Sequence, residues 1–213
     1  MDAEIEVIKW NEAVRRRPSM YIGDTCMLGL LHALRGLLDV PRAPRAIRLS
    51  VKPTSFFLEA ECVPISVTPR TPGRPPFFIE ACSSLDLPLD EPPTIGDTET
   101  LDRHARPLRM TRIGKAPSEL AVLNALSSSF EIASRAAEAE TYATFGRGLL
   151  ESGPLQRAPR GAPGIAIELT PDPTIFRDAR IHLVHVVHLL RDFAGRTGVA
   201  TVVSDGDGLE CHL

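Results

Sequence analysis

Some segments of this chain have apolar residues at the spacing of a helix, and others have them at the spacing of a strand. The order of these segments along the chain restricts the folds that it can adopt. Leucines at helical spacing predict a helix with one apolar face over residues 29–40, ended by Pro41. Residues 46–53 and 55–63 predict two strands around a Pro-Thr-Ser turn, which is typical of a hairpin. This mixed order predicts an α+β sandwich: a mostly antiparallel sheet covered by helices on one face.

The rest of the chain continues the alternation of helices and strands. A first helix is predicted over residues 3–17, ended by Pro18. Residues 118–134 are predicted to begin as a helix, with Ser118 as N-cap, and to continue as a strand. Two strands are predicted over residues 139–150 and 164–172. A long helix over residues 174–195 and a final hairpin over residues 199–213 complete the chain. Residues 67–117, rich in proline, predict a long loop with one short helix near residues 78–84.

Composition indicates one globular domain over residues 1–213. Hydrophobic residues make up 43% of the 213 residues, which is enough for a sizeable core. The net charge of −3 argues against an obligatory nucleic-acid or membrane partner. Four cysteines without a CxxC spacing, and an acidic N-terminus without a signal-peptide pattern, predict a cytoplasmic protein with free thiols.

Residues 12–25, EAVRRRPSMYIGDT, carry a specific resemblance. They resemble the N-terminal signature of the ATPase domains of the DNA gyrase B subunit and topoisomerase IV, in the GHKL ATPase superfamily. GLLHAL, LAVLNALSSSFEI and the last 50 residues resemble further segments of that family in the same order. The resemblance implies the two-layer GHKL (Bergerat) sandwich, with residues 1–25 as N-terminal arm and signature and residues 67–117 as a divergent lid region.

The same resemblance implies that the catalytic groups are missing. In the family, a Glu on the first helix is the general base and an Asn one turn later binds Mg²⁺; Gly36 and Val40 stand at these positions. An Asp that accepts a hydrogen bond from adenine is replaced by Ala60, and a late Thr by Ile165. The implied pocket is therefore degenerate, lined by Gly36, Val40, Ala60, Val63, Ile65 and Ile165.

The glycine-rich lid of the family is also altered. Residues 113–119 take its place, where Pro117 removes a backbone N–H and Glu119 would repel a phosphate. We therefore expect no catalytic residue, no cofactor and no bound metal. The leading hypothesis is a bacterial, gyrase-B-like pseudo-ATPase that acts as a protein-interaction or regulatory module.

The partner of such a module is predicted to be a protein: a second copy in a homodimer, a gyrase-related subunit, or another protein of its pathway. Apolar side chains early in the chain and a basic run in the lid region are the candidate contacts. They are Ile5, Ile8, Trp10, Tyr21, Arg103, Arg106 and Arg109.

Several alternatives remain open from the residues alone. The apolar remnant of the pocket could hold a small ligand other than a nucleotide, or residual ATP binding could use Asp39, Glu59 or Glu61 as substitute carboxylates. The basic run at 103–115 could bind nucleic acid. His182, His185 and His188 at i, i+3, i+6 do not predict a metal site, because the third is turned about 120° from the other two.

Overall fold

The computed structural model describes residues 8–69, 72–84, 119–177, 179–205 and 208–213. The helices of these residues are α1 (Trp10–Arg16), α2 (Ser19–Ile22), α3 (Met27–Leu38), α4 (Phe77–Ser83), α5 (Glu119–Ala125), α6 (Pro173–Phe176) and α7 (Leu183–Thr197). The strands are β1 (Arg42–Val51), β2 (Phe56–Val63), β3 (Ser127–Arg135), β4 (Glu140–Gly146), β5 (Leu149–Arg157), β6 (Gly164–Pro171), β7 (Ala200–Ser204) and β8 (Glu210–His212).

The strands form one sheet in the order β5-β4-β3-β6-β2-β1-β7-β8. Neighbours in this sheet run antiparallel except β1 and β7, which are parallel. A parallel pair needs a long crossover, and all the chain between β1 and β7 serves as one. The mostly antiparallel sheet with its helices confirms the predicted α+β class.

One hydrophobic core joins the helices to the sheet. On β2, Phe56, Leu58 and Ala60 are at most 5% exposed and alternate with more exposed residues, as expected of a strand with one buried face. The apolar face predicted for α3 is likewise buried. Helix α5 is buried on every side from its second residue onward, so it lies centrally between other elements.

Several predicted elements are confirmed within a few residues. The hairpin of β1 and β2, the short helix α4, the transition from α5 to β3, strand β6 and the final hairpin of β7 and β8 all occur where the patterns indicate. The first helix is shorter than predicted, because residues 8 and 9 are not helical and α1 begins at Trp10. Among the described helices, none is long and apolar enough to cross a membrane.

The prediction of one strand over residues 139–150 is wrong. The segment contains β4, a two-residue turn and the start of β5, and β4 pairs antiparallel with β5. Arg147 and Gly148 form the turn with φ of 53° and 84°. Positive φ at both central residues is the conformation that suits a tight hairpin, so the Arg-Gly pair reverses the chain here.

The prediction of one long helix over residues 174–195 is also wrong. Asp172 caps the short helix α6, residues 177 and 179–182 are not helical, and α7 begins at Leu183. Helix α7 then continues beyond Gly195 to Thr197 and ends at Gly198, which has φ of 68°. Gly198 therefore provides the left-handed residue that commonly follows a helix.

Candidate functional site

The positions where the resemblance places the general base and the metal ligand lie on helix α3 and just after its end. Gly36 is half-buried near the end of α3, and Val40 follows the helix, half-buried against the core. A Cβ on Gly36 would lie 3.5 Å from Cδ and 3.7 Å from Oε2 of Glu119. The space beside Gly36 is therefore occupied by a carboxylate that comes from another helix.

Glu119 is the first residue of α5, and its side chain is close enough to Asp39 for their charges to interact. Burial of its carboxyl group and the negative charge of Asp39 raise the pKa of Glu119 to about 7, although the residue as a whole keeps an exposed surface. The site thus contains a carboxyl group that changes charge near neutral pH. The resemblance places Glu119 in the lid region but does not indicate its contact with Gly36, which lies 83 positions earlier in the sequence.

We predict that Glu119→Gln makes the protein more stable at about pH 8 and leaves its stability nearly unchanged at about pH 5. The folded-state pKa of about 7 exceeds the ordinary value of 4.5, so the folded protein holds this proton more tightly than the unfolded chain. Wild-type stability should consequently fall as the pH rises from about 4.5 to about 7. The gain at high pH should be on the order of 1 kcal/mol, because the exposed part of the residue weakens the effect.

Urea denaturation of both proteins at the two pH values measures this difference, and the wild type serves as its own control across pH. A stability difference that is the same at both pH values would mean that Glu119 is not desolvated beside Asp39.

Strands β2 and β6 bring two other predicted pocket residues together. Ala60 lies directly opposite Ile165, and these residues are 2% and 0% exposed. The neighbouring Gly164 tolerates no side chain, since a Cβ there would lie 1.9 Å from the carbonyl oxygen of Ala60. This part of the site therefore presents hydrocarbon and has no side-chain group that could accept a hydrogen bond.

The two remaining pocket residues lie in different environments. Val63 is 57% exposed at the end of β2, so it faces solvent. Ile65 is half-buried, and its carbonyl oxygen accepts a hydrogen bond of 2.6 Å from Oγ of Ser134 on β3. The structure therefore pairs Ala60 with Ile165 directly and holds Ile65 against β3.

The predicted partner-binding residues are described only in part. Those outside the described part of the chain are Ile5, Arg103, Arg106 and Arg109. Ile8 is 39% exposed, whereas Trp10 and Tyr21 are half-buried and pack against the core. A Cβ on Gly148 would lie 3.2 Å from Cη2 of Trp10, so the indole ring contacts the turn between β4 and β5.

An ionic network that the sequence did not reveal holds α1 in place. Asp172 has a fully buried side chain, which accepts hydrogen bonds from Nη2 of Arg15 at 2.8 Å and from Nε of Arg147 at 3.0 Å. It also accepts hydrogen bonds from the backbone N–H and the hydroxyl of Thr174. Burial raises the pKa of Asp172, but the hydrogen bonds from Thr174 and Arg15 outweigh it and lower this pKa to about 2.

Two more hydrogen bonds tie the signature helix to its surroundings. Nη1 of Arg15 donates to the carbonyl of Ala125 at 2.9 Å, and Nδ2 of Asn11 donates to the carbonyl of Arg147 at 3.1 Å. Arg16 forms an ion pair with Glu12 one turn earlier. Arg15 is therefore engaged in the fold, and Arg16 pairs within its own helix.

The first two of the histidines at 182, 185 and 188 lie close together. His182 precedes α7, and its ring lies 6.0 Å from that of His185, measured between ring centroids. Nδ1 of His185 is buried and has no hydrogen-bond partner in the described residues. No group of three or more His, Cys, Asp or Glu side chains in the described ranges is placed to hold a metal ion.

No family model matches this sequence, and no curated protein matches it closely. A solved structure is similar in fold: the 43K ATPase domain of Thermus thermophilus gyrase B in complex with an aminocoumarin. The match has a TM-score of 0.73 and 25% sequence identity, and it covers 99% of this chain and 52% of the other. The present chain thus spans about half the length of that structure, and it has the GHKL fold of a gyrase-B-like domain.

Proposed function

We propose that this chain is a catalytically inactive gyrase-B-like domain that acts as a protein-interaction or regulatory module. The observation that carries the proposal is the pair of Ala60 and Ile165, which is buried and purely apolar where the resemblance requires an acceptor for adenine. A nucleobase placed there would lose its hydrogen bonds to water and find no side-chain partner, which disfavours binding.

The region around α3 also disfavours a triphosphate. Val40 has no ligand atom for Mg²⁺, and Gly36 has no side chain. Glu119 and Asp39 would place two negative charges near the phosphates above about pH 7. Without a metal ion to neutralise the phosphates, these carboxylates would oppose binding.

One observation favours a second candidate, residual ATP hydrolysis. The carboxylate of Glu119 lies beside Gly36, where a side chain of the missing base would project, and a pKa of about 7 suits a general base. In this case Glu119 would replace the base from a different helix. The candidate still lacks a metal ligand at Val40, which is why we favour the inactive domain.

We predict that isothermal titration calorimetry with ATP and Mg²⁺ gives no binding heat, and that a phosphate-release assay gives no signal above the buffer blank. A bacterial gyrase B ATPase domain is the positive control for both assays, and Glu119→Gln is the matched variant of this chain. Micromolar binding with phosphate release would overturn the inactive domain. If that release disappeared in Glu119→Gln, the second candidate would be established.

The other alternative is a small ligand bound in the apolar remnant of the pocket. It has weaker support, because the Ala60 and Ile165 side chains leave almost no exposed surface there. A thermal-shift screen separates it from the proposal, since a ligand at about 100 times its Kd should add about 2.7 kcal/mol of stability. The partner that we propose instead is a protein: a second copy, a gyrase-related subunit or another protein of its pathway.

A further inference from the structure

An open groove lies beside α1, and none of its lining residues is a position that the resemblance assigns to the nucleotide pocket. It consists of two adjoining clefts of about 780 and 470 Å³, which share Arg15, Thr174 and Ile175 in their walls. The larger cleft extends to the start of α3 and to Phe176, Arg177, Ala179, Arg180 and His182, and the smaller extends to the turn between β4 and β5. The two clefts adjoin at the three shared residues, and together they form the groove.

The charged residues that line the groove are mostly basic. Arg177, Arg180 and His182 line the larger cleft in addition to Arg15. Lys9, Arg16 and Arg147 line the smaller one. The concentration of positive charge is local, because the whole chain has a net charge of −3.

The carboxylates described beside the groove offset only part of this charge, and one of them is Asp24, which accepts hydrogen bonds from the backbone N–H and Sγ of Cys26 in the larger cleft. Asp172 lies in the wall as a fully buried acceptor for Arg15 and Arg147, so its single charge meets two guanidinium groups. Glu12, the acidic side chain among the lining residues that the structure describes, forms an ion pair of 2.7 Å with Arg16. The groove therefore keeps an excess of positive charge.

Arg177 and Arg180 are the cations best placed to contact a partner. Both residues are exposed. Within the described ranges, neither guanidinium group takes part in an ion pair or a hydrogen bond. Their replacement therefore removes no contact that the described residues make with these side chains.

Apolar side chains complete the groove. Ile175 and Phe176 pack into the core from its wall, Met27 is half-exposed in the larger cleft, and Leu149 is 54% exposed in the smaller one. A surface that combines free arginines with apolar groups matches a peptide in which acidic and apolar residues alternate, because the two kinds of side chain contact different walls.

We infer that this groove binds an extended, acidic segment of a partner protein that also carries apolar side chains. The inference deepens the proposed function and rests on it, because it names the surface and the partner chemistry of the interaction module. A single-stranded nucleic acid fits less well, since of the two aromatic side chains that line the groove in the described residues Phe176 is 4% exposed, which leaves the His182 imidazole alone for base stacking.

We predict that a fluorescein-labelled peptide of about ten alternating Glu and Leu residues binds with a Kd of tens of micromolar at low salt. The double variant Arg177→Glu/Arg180→Glu should weaken binding at least about tenfold, because two attractive charges become repulsive. A matched control, Arg74→Glu/Arg191→Glu, makes the same change in net charge at exposed residues outside the groove and should stay within about twofold of wild type. Fluorescence polarisation measures all three affinities, and circular dichroism verifies that the variants fold.

The inference would be overturned if the wild type gave no polarisation change, or if both double variants lost the same affinity for the peptide. It would also be overturned if a peptide with Gln in place of Glu bound as tightly as the acidic peptide, or if a single-stranded DNA oligonucleotide bound more tightly. Self-association that the groove variant abolishes, without peptide binding, would assign the groove to a second copy instead. The ATP assays decide the inactive domain independently. Peptide binding by a protein that hydrolyses ATP would support the groove and refute the inactive domain.

Discussion

Replacement of Gly164 by alanine is expected to lower the free energy of unfolding by at least about 3 kcal/mol or to prevent folding. A Cβ at this position would lie 1.9 Å from the carbonyl oxygen of Ala60 and 3.0 Å from the backbone nitrogen of Cys62. These atoms are backbone atoms of β2, so no side-chain rotation can relieve the overlap. The strands β2 and β6 would have to separate at the centre of the sheet, where Glu61 pairs with Gly164.

Urea denaturation followed by circular dichroism measures this loss, and Gly195→Ala is the matched control. Gly195 lies within α7, and a Cβ there would meet no atom within 4 Å. Alanine favours a helix interior by about 0.5–1 kcal/mol over glycine, so the control should be slightly more stable than wild type. Equal stability of the two variants would show that β2 and β6 do not approach each other as described.

Replacement of Glu140 by alanine is expected to cost about 3–5 kcal/mol, because it leaves buried positive charge without its main partner. The Glu140 side chain is fully buried, accepts a hydrogen bond of 2.6 Å from Nε of Arg135 and forms an ion pair with Arg157. Arg135 is 4% exposed and would keep only its ion pair with Glu59. The backbone N–H of Arg160 also donates to Glu140 and would lose its acceptor.

The control for this variant is Glu138→Ala in the adjacent turn, where the residue is exposed, and it should change stability by less than about 0.5 kcal/mol. A second comparison is Arg135→Met/Glu140→Met, which removes two of the charges together and should be less damaging than Glu140→Ala. Chemical denaturation at neutral pH gives all three values. A cost for Glu140→Ala no larger than that of Glu138→Ala would contradict the buried ion pairs.

This network also predicts a dependence on pH. Burial raises the pKa of Glu140, but the hydrogen bonds from Arg157 and Arg135 outweigh it and lower this pKa below its usual value. The stabilisation is therefore present at neutral pH and is lost as the pH falls below about 4.5.

The regular elements could be predicted because their signals are local. The leucines of α3 repeat along one helical face, and β2 alternates buried with more exposed residues, so neighbours in sequence reveal both elements. The two wrong boundaries have a common cause. Arg147 and Gly148 reverse the chain through positive φ, and helix α6, capped by Asp172, ends at Phe176. Neither the turn nor the end of α6 interrupts the apolar periodicity of the sequence, so the pattern did not reveal them.

The candidate site was predictable only as a set of positions. The resemblance indicates Gly36, Ala60 and Ile165 as replacements, and the register of β2 and β6 places Ala60 opposite Ile165. It did not indicate that Glu119 would lie beside Gly36, because that contact depends on how α5 packs against α3.

The sequence alone determined the identity of the side chains at the positions that the resemblance assigns to catalysis, and it determined the helices and strands whose apolar spacing is regular. Only the tertiary structure decided which distant charges meet: Arg15 with Asp172, Arg135 with Glu59, and Glu119 with Asp39. The physical reason is that periodicity reflects contacts within a few residues. An ion pair depends on strand order and helix packing, which bring together residues as far apart as 157 positions.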